Sequence, residues 1–216
     1  MPKFDLSADY LAAAATFRGY EETRRYLNGV YACPHVDPAT GKGALLVATD
    51  GHLLAAIHDR DGVVERPAIL AFDHKAKALK AARGDGTPRR LRFDLSDARS
   101  TVPVSAGVFT DDFMRDAFTV SEVDGEFPDF WRVIPARDTW GQHCEGAFGV
   151  NTQYLADCTA ASERATGNKR RIIGVWRSEV GAPMIVETGF ADGVFVVMPV
   201  RCAARDTAPD WLEARE

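Results

Sequence analysis

The sequence predicts an α+β fold built from repeated strand–helix–antiparallel-strand units, with the helices on one face of the sheets. Two observations predict it. Three Phe-led extended stretches each run into a helical pattern: Phe4-Asp5-Leu6-Ser7, Phe72-Asp73-His74-Lys75 and Phe148-Gly149-Val150-Asn151, spaced by 68 and 76 residues. Each segment later reaches an Asp-Gly pair between β-rich runs, at Asp50-Gly51, Asp124-Gly125 and Asp192-Gly193, spaced by 74 and 68 residues. Asp-Gly suits a tight hairpin because both residues tolerate positive φ. A shared period of about 70 residues marks an internal repeat.

The elements follow in order. A first helix starts near Ser7, a good N-cap, with Asp9 in its first turn and an apolar stripe of Tyr10, Leu11, Ala14 and Phe17. Strands are expected at Leu45–Thr49 and Leu53–His58. A second helix runs from near Asp73 to Gly84. Ala78, Leu79, Ala81 and Ala82 share one half of it, and Lys75, Lys77, Lys80 and Arg83 the other. Strands follow at Arg89–Phe93 and Phe118–Val123. A third helix starts at Asn151, buries Tyr154, Cys158, Ala161 and Ala165, and ends at Gly167. The last strands are Arg171–Arg177, Pro183–Thr188 and Val194–Val200.

The chain divides into a complete domain of two such units (1–135), a linker (136–145), a lone half-domain (146–202) and a polar tail (203–216). The 216 residues carry a formal charge of −5, with 46% hydrophobic and 26% charged residues, which excludes a disordered or collagen-like chain. No window of about 18 apolar residues could span a membrane. Met-Pro-Lys-Phe-Asp at the N-terminus has no apolar run to act as an export signal. Cys33, Cys144, Cys158 and Cys202 lie far apart, as reduced packed thiols of a cytoplasmic protein do.

Three stretches carry a resemblance. Arg24-Arg25-Tyr26-Leu27-Asn28-Gly29-Val30 is followed by Val47-Ala48-Thr49-Asp50-Gly51-His52-Leu53-Leu54-Ala55. Then come Val123-Asp124-Gly125-Glu126-Phe127-Pro128-Asp129-Phe130, closing on Arg132-Val133-Ile134-Pro135, and finally Val196-Val197-Met198-Pro199-Val200-Arg201. In order and spacing they closely resemble the bacterial DNA polymerase III beta subunit, the beta sliding clamp. That family has three domains of two halves each. Residues 1–135 resemble its middle domain and 146–202 the second half of its last domain, so the chain is expected to be a shortened homologue.

The resemblance implies a DNA-clamp-like fold and two binding functions. One is a ring around duplex DNA, held by weak, sequence-blind phosphate contacts. Its candidate residues are Arg24, Arg25, Lys75, Lys77, Lys80, Arg83, Lys169, Arg170 and Arg171, a basic inner face on an otherwise acidic chain. The other is a pocket for short peptides of polymerases or repair proteins. Carried over by position, it comprises Leu27, Thr49, Gly51, His52, Leu54, Pro135, Val197, Met198, Pro199, Val200 and Arg201. Leu53 stands where the family commonly has Arg, and Val200 where it commonly has Met. A clamp loader is an implied partner of a closed ring, and no cofactor is required. The alternative reading is a non-encircling regulatory protein that uses the pocket to compete for clamp clients. A small-molecule-binding α+β domain is a third.

Catalysis is not expected. His52 follows Asp50 by two residues, but no nucleophile, phosphate loop or metal triad accompanies them. Asp111, Asp112 and Asp116 read as the solvated edge of a turn. A lone half-domain leaves an apolar face open. Pairing it with the same half of a second chain about a two-fold axis would cover that face. A homodimer follows, and two dimers would supply the halves of a tetrameric ring.

Overall fold

A computed structural model describes residues 4–73, 79, 88–95, 103–110, 112–136, 138, 149–169, 172–177 and 181–200. The second expected helix falls almost wholly outside the described residues, as do the tail and most of the linker.

The chain opens with strand β1 (Phe4–Ser7) and helix α1 (Ala8–Ala14). Ser7 Oγ caps α1 by accepting from the Tyr10 amide at 3.2 Å. A 3-10 turn, Ala15–Phe17, extends the helix, and Leu11, Ala14 and Phe17 are buried along its stripe. Antiparallel strands β2 (Val30–Asp37), β3 (Lys42–Thr49) and β4 (Leu53–Asp59) follow, then the short β5 (Val63–Val64). β6 (Ala68–Phe72), β7 (Arg89–Phe93), β8 (Val104–Thr110) and β9 (Phe113–Glu122) form a second group. Helix α2 (Thr152–Thr166) leads into β10 (Gly174–Arg177), β11 (Met184–Glu187) and β12 (Gly193–Val197). Asn151 caps α2, its Oδ1 accepting from the Gln153 amide at 3.0 Å. Gly167 ends it in the left-handed region, φ +71°.

The strands form one antiparallel sheet, ordered β10-β11-β12-β4-β3-β2-β6-β9-β8-β7-β1-β5. This is the α+β architecture expected from the sequence. β12 pairs directly with β4, Phe195 opposite Ala55 and Val197 opposite Leu53. Residues about 140 apart in sequence are thereby joined in one ladder. The same seam continues on the helical layer, where α1 packs on α2. Arg164 Nη1 donates to the Ala12 carbonyl at 3.3 Å.

β3 and β4 read as unbroken apolar runs because both of their faces are covered. The inner face carries the main core, including Leu11, Phe17, Leu46, Ile57 and Phe195. The outer face carries a second cluster of Leu45, Val47, Leu54, Ala56, Phe130, Ile185 and Val196. Cys158 lies in the main core, where burial pushes its thiol up to about 12.

Three points are corrected. Asp124-Gly125 is not a hairpin between strands. It lies in the connection from β9 to a 3-10 turn at Phe130–Arg132, where a Cβ on Gly125 would stand 3.1 Å from Tyr26 Cβ. Strands β2 and β8 occupy stretches to which the sequence pattern assigns no element. The last strand stops at Val197, with Val200 held by an isolated bridge to Gly149.

Candidate functional site

The site is built on the β3–β4 hairpin. Asp50 Oδ1 accepts from the amides of His52 at 2.8 Å and Leu53 at 2.7 Å. Thr49 Oγ1 accepts from the Gly51 amide at 3.0 Å and donates to the Leu53 carbonyl at 2.6 Å. Gly51 takes φ +94°, a conformation L side chains rarely adopt. Thr-Asp-Gly-His is therefore a turn-building unit. The Asp50 carboxylate holds backbone amides and gives no sign of an acid–base pair with His52.

The far end of β12 is docked onto this hairpin, since the Met198 amide donates to the His52 carbonyl at 2.9 Å. A cleft of about 200 Å³ opens where the two meet. Its floor and walls include Leu27, Thr49, Gly51, His52, Leu54 and Met198 from the expected pocket. Val197 is not among them. It faces the main core, fully buried, and strand alternation turns its neighbour Val196 into the cleft instead. Pro135, Pro199 and Val200 lie outside the lining, and Arg201 lies outside the described residues.

The remaining wall comes from the stretch after β9: Pro128, Asp129, Phe130 and Val133. That stretch is pinned by aromatic packing. Phe127 stacks on Tyr31 with ring centroids 4.8 Å apart, and Phe130 packs edge-on against Phe127 at 6.5 Å. The sequence motif around Phe127 was legible, but not that it forms a wall. Its spacing to an apolar outer sheet face was the available signal.

Arg24 and Tyr26 complete the rim. Arg24 grips Glu21 in a two-pronged ion pair at 2.7 and 2.8 Å. The guanidinium hydrogen bonds hold the Glu21 carboxyl below its ordinary range. Leu53, standing where the family commonly has Arg, is buried and contributes no charge. Arg24 therefore brings the guanidinium to the cleft, although it was expected among the DNA contacts. Arg25 lies beside it, itself exposed, at the start of the 3-10 turn Arg25–Leu27.

Of the other expected DNA contacts, Lys169 alone is among the described residues. Lys169 follows α2, well exposed, 3.8 Å from Glu163. Lys75, Lys77, Lys80, Arg83, Arg170 and Arg171 lie outside the described residues. Within α1 and α2 themselves the charges are Asp9, Asp157, Glu163 and Arg164. These two helices do not by themselves make a basic face. Among the described residues no group of three His, Cys, Asp or Glu side chains is placed to hold a metal ion. No described helix is long and apolar enough to cross a membrane. Asp112 forms the β8–β9 turn with φ +63°, its carboxylate 2.7 Å from Arg92 Nη1.

No protein-family model matches the chain. The beta sliding clamp of Caulobacter vibrioides is 32% identical over 126 residues, 53% of this chain and 28% of the relative. The chain thus spans little more than a quarter of the curated relatives it matches. Among solved structures, a DNA polymerase sliding clamp from Pseudomonas aeruginosa aligns with a TM-score of 0.60 at 18% identity, over 94% of this chain and 67% of the other. A Bartonella birtlesii sliding clamp bound to griselimycin gives 0.60 at 20%, over 93% and 66%. A DNA polymerase III beta subunit from Thermotoga maritima gives 0.57 at 17%, over 94% and 66%. The fold is that of a DNA sliding clamp. Over the 126 matched residues the chain is similar to the bacterial beta sliding clamp.

Proposed function

We propose that this chain is a clamp-like polymerase processivity protein that holds duplex DNA and docks short peptides of polymerases or repair proteins in the β4–β12 cleft. The cleft carries the reading. It is concave and mostly apolar, contains an adaptable Met198, and has Arg24 and His52 at its edge to orient a guest. That the relatives are sliding clamps supports the same reading. The role is tethering, with no chemistry of its own and no cofactor. The division at 1–135, 136–145, 146–202 and 203–216 is retained as part of the proposal, with a homo-oligomer as the holding unit and a clamp loader as the agent that would open a closed ring.

Met198→Ala is expected to weaken binding of a labelled polymerase-tail peptide by about 1–3 kcal/mol, as truncating an anchor does. Fluorescence anisotropy reads this directly, and equal affinity in parent and variant would remove the cleft from the proposal. DNA contact is tested separately. Lys77→Glu with Lys80→Glu should reduce retention on circular DNA and flatten its salt dependence by about one unit of slope per lost phosphate contact. An unchanged slope would take Lys77 and Lys80 out of the DNA-facing set.

The regulatory reading is favoured by one observation: α1 and α2 present three acids and one base. A protein that only competes for clients would bind the tail peptide, displace it from a full-length clamp, and show no retention on DNA at any salt.

A further inference from the structure

One row of side chains crosses the outer face of the sheet and runs out of the cleft. Thr49 stands opposite Leu54, Leu54 opposite Val196, Val196 opposite Ile185, and Ile185 opposite Trp176. Residues directly opposite in antiparallel strands share a face. Thr49, Leu54 and Val196 line the cleft. Ile185, next in the row, is buried in the outer apolar cluster, and the row ends at Trp176, which is 41% exposed. At the usual strand spacing Trp176 lies about 10 Å beyond Val196.

Trp176 is more than an apolar surface. Its Nε1 donates to Glu187 Oε2 at 3.4 Å. Glu187 stands opposite Gly174, two residues before Trp176 on the same face. Gly174 puts no side chain between the two groups: a Cβ there would stand 3.5 Å from Trp176 Nε1 and 3.6 Å from Glu187 Cβ. Among the described residues Glu187, itself exposed, has no Lys or Arg partner. The indole N–H takes one of the carboxylate's acceptor positions and brings no charge to offset it. An exposed aromatic ring and an unbalanced negative charge thus stand side by side. A cation is attracted by both. An apolar group would strip water from the carboxylate without replacing it, and an anion would be repelled.

We propose that Trp176 and Glu187 form a subsite for a Lys or Arg side chain of the peptide held in the cleft, and so select guests with a basic flank. This inference rests on the cleft as a peptide site and adds the chemistry of the guest beyond its apolar plug. An extended peptide covers about 10 Å in roughly three residues, so the basic residue stands about three places from the one seated over Val196.

The labelled polymerase-tail peptide is made in two forms, with Lys or with Gln about three residues to either side of its apolar plug. The full chain should bind the Lys form about fivefold more tightly at low salt, the size expected of an exposed cation–π contact joined to a surface ion pair. Raising the salt should narrow the difference. Glu187→Gln keeps an oxygen for the indole N–H and removes only the charge, whereas Trp176→Ala removes the ring. Each should abolish the preference for Lys and leave binding of the Gln form as it was. A parent that binds both forms equally would overturn the proposal, as would variants that keep the parent's preference. Met198→Ala separates this failure from failure of the cleft itself. If it weakens both forms and the parent shows no preference, the subsite falls and the cleft stands. If neither form binds the parent, or Met198→Ala changes nothing, both fall. Should Trp176→Ala lose its circular-dichroism signal, Glu187→Gln decides.

Discussion

Phe195→Ala is expected to lower the unfolding free energy by about 3–5 kcal/mol, the usual range for emptying a core aromatic site. Phe195 is fully buried on β12, its ring stacked on Phe17 at 5.4 Å and 6.4 Å from Phe190. Phe17 belongs to the first repeat unit, so the lost contact is one that fastens the third unit to it. The backbone of Phe195 pairs with Ala55 across the seam, and the next residue, Val196, lines the cleft. The same variant should therefore lose affinity for a cleft ligand, although Phe195 does not touch the cleft. Urea denaturation followed by circular dichroism measures the first effect and peptide titration the second. A stability loss below about 1 kcal/mol would mean the seam is not part of the cooperative core.

Arg90→Ala is expected to cost a similar amount, about 3–5 kcal/mol, for a different reason. Arg90 sits on β7 and gathers three parts of the chain. Its Nε donates to Asp5 Oδ1 at 2.7 Å, and its Nη1 to both oxygens of Asp59 at 3.0 and 3.1 Å. Its Nη2 donates to the carbonyls of Asp5 at 2.8 Å and Asp61 at 3.1 Å. The side chain of Asp59 is only 5% exposed, and without Arg90 it keeps the Ser7 amide at 2.6 Å as its neighbour. A buried carboxylate stripped of its cation is the costly outcome. Arg60→Ala is the control. It breaks an equally short ion pair, to Asp192 at 2.7 Å, but Arg60 is 65% exposed and solvent screening should make the loss far smaller than that of Arg90→Ala. Equal losses in the two variants would show that burial is not what gives the Arg90 cluster its weight.

Local signals carried most of what was legible in the sequence. Ser7 and Asn151 announce α1 and α2 because a cap is a contact between neighbours. The Thr49–Leu53 turn was legible for the same reason. Strand β2 was not, because Pro34 argues against a strand interior. The structure resolves the conflict: the part of β2 that pairs with β6 is Val30–Ala32, so at Pro34 the strand is an edge, and its pairing with β3 shifts register just beyond. β8 hid behind small residues. Gly107 is there because a Cβ would meet the Phe109 ring at 2.8 Å, a contact no local pattern announces. In the cleft, the carried-over positions located the right strand end but chose Val197 over Val196. Which of two adjacent valines faces outward depends on the pairing of β12 with β4, and that pairing is set by residues far away in sequence.

The cleft is walled by residues from 24–54, 128–133 and 196–198. A guest lodged there fastens the near, middle and far stretches of one polypeptide together. Unfolding must first evict it. At a free concentration one hundred times its dissociation constant, such a guest adds about 2.7 kcal/mol to the work of unfolding. A copy with an empty cleft would then be the more readily opened by a protease.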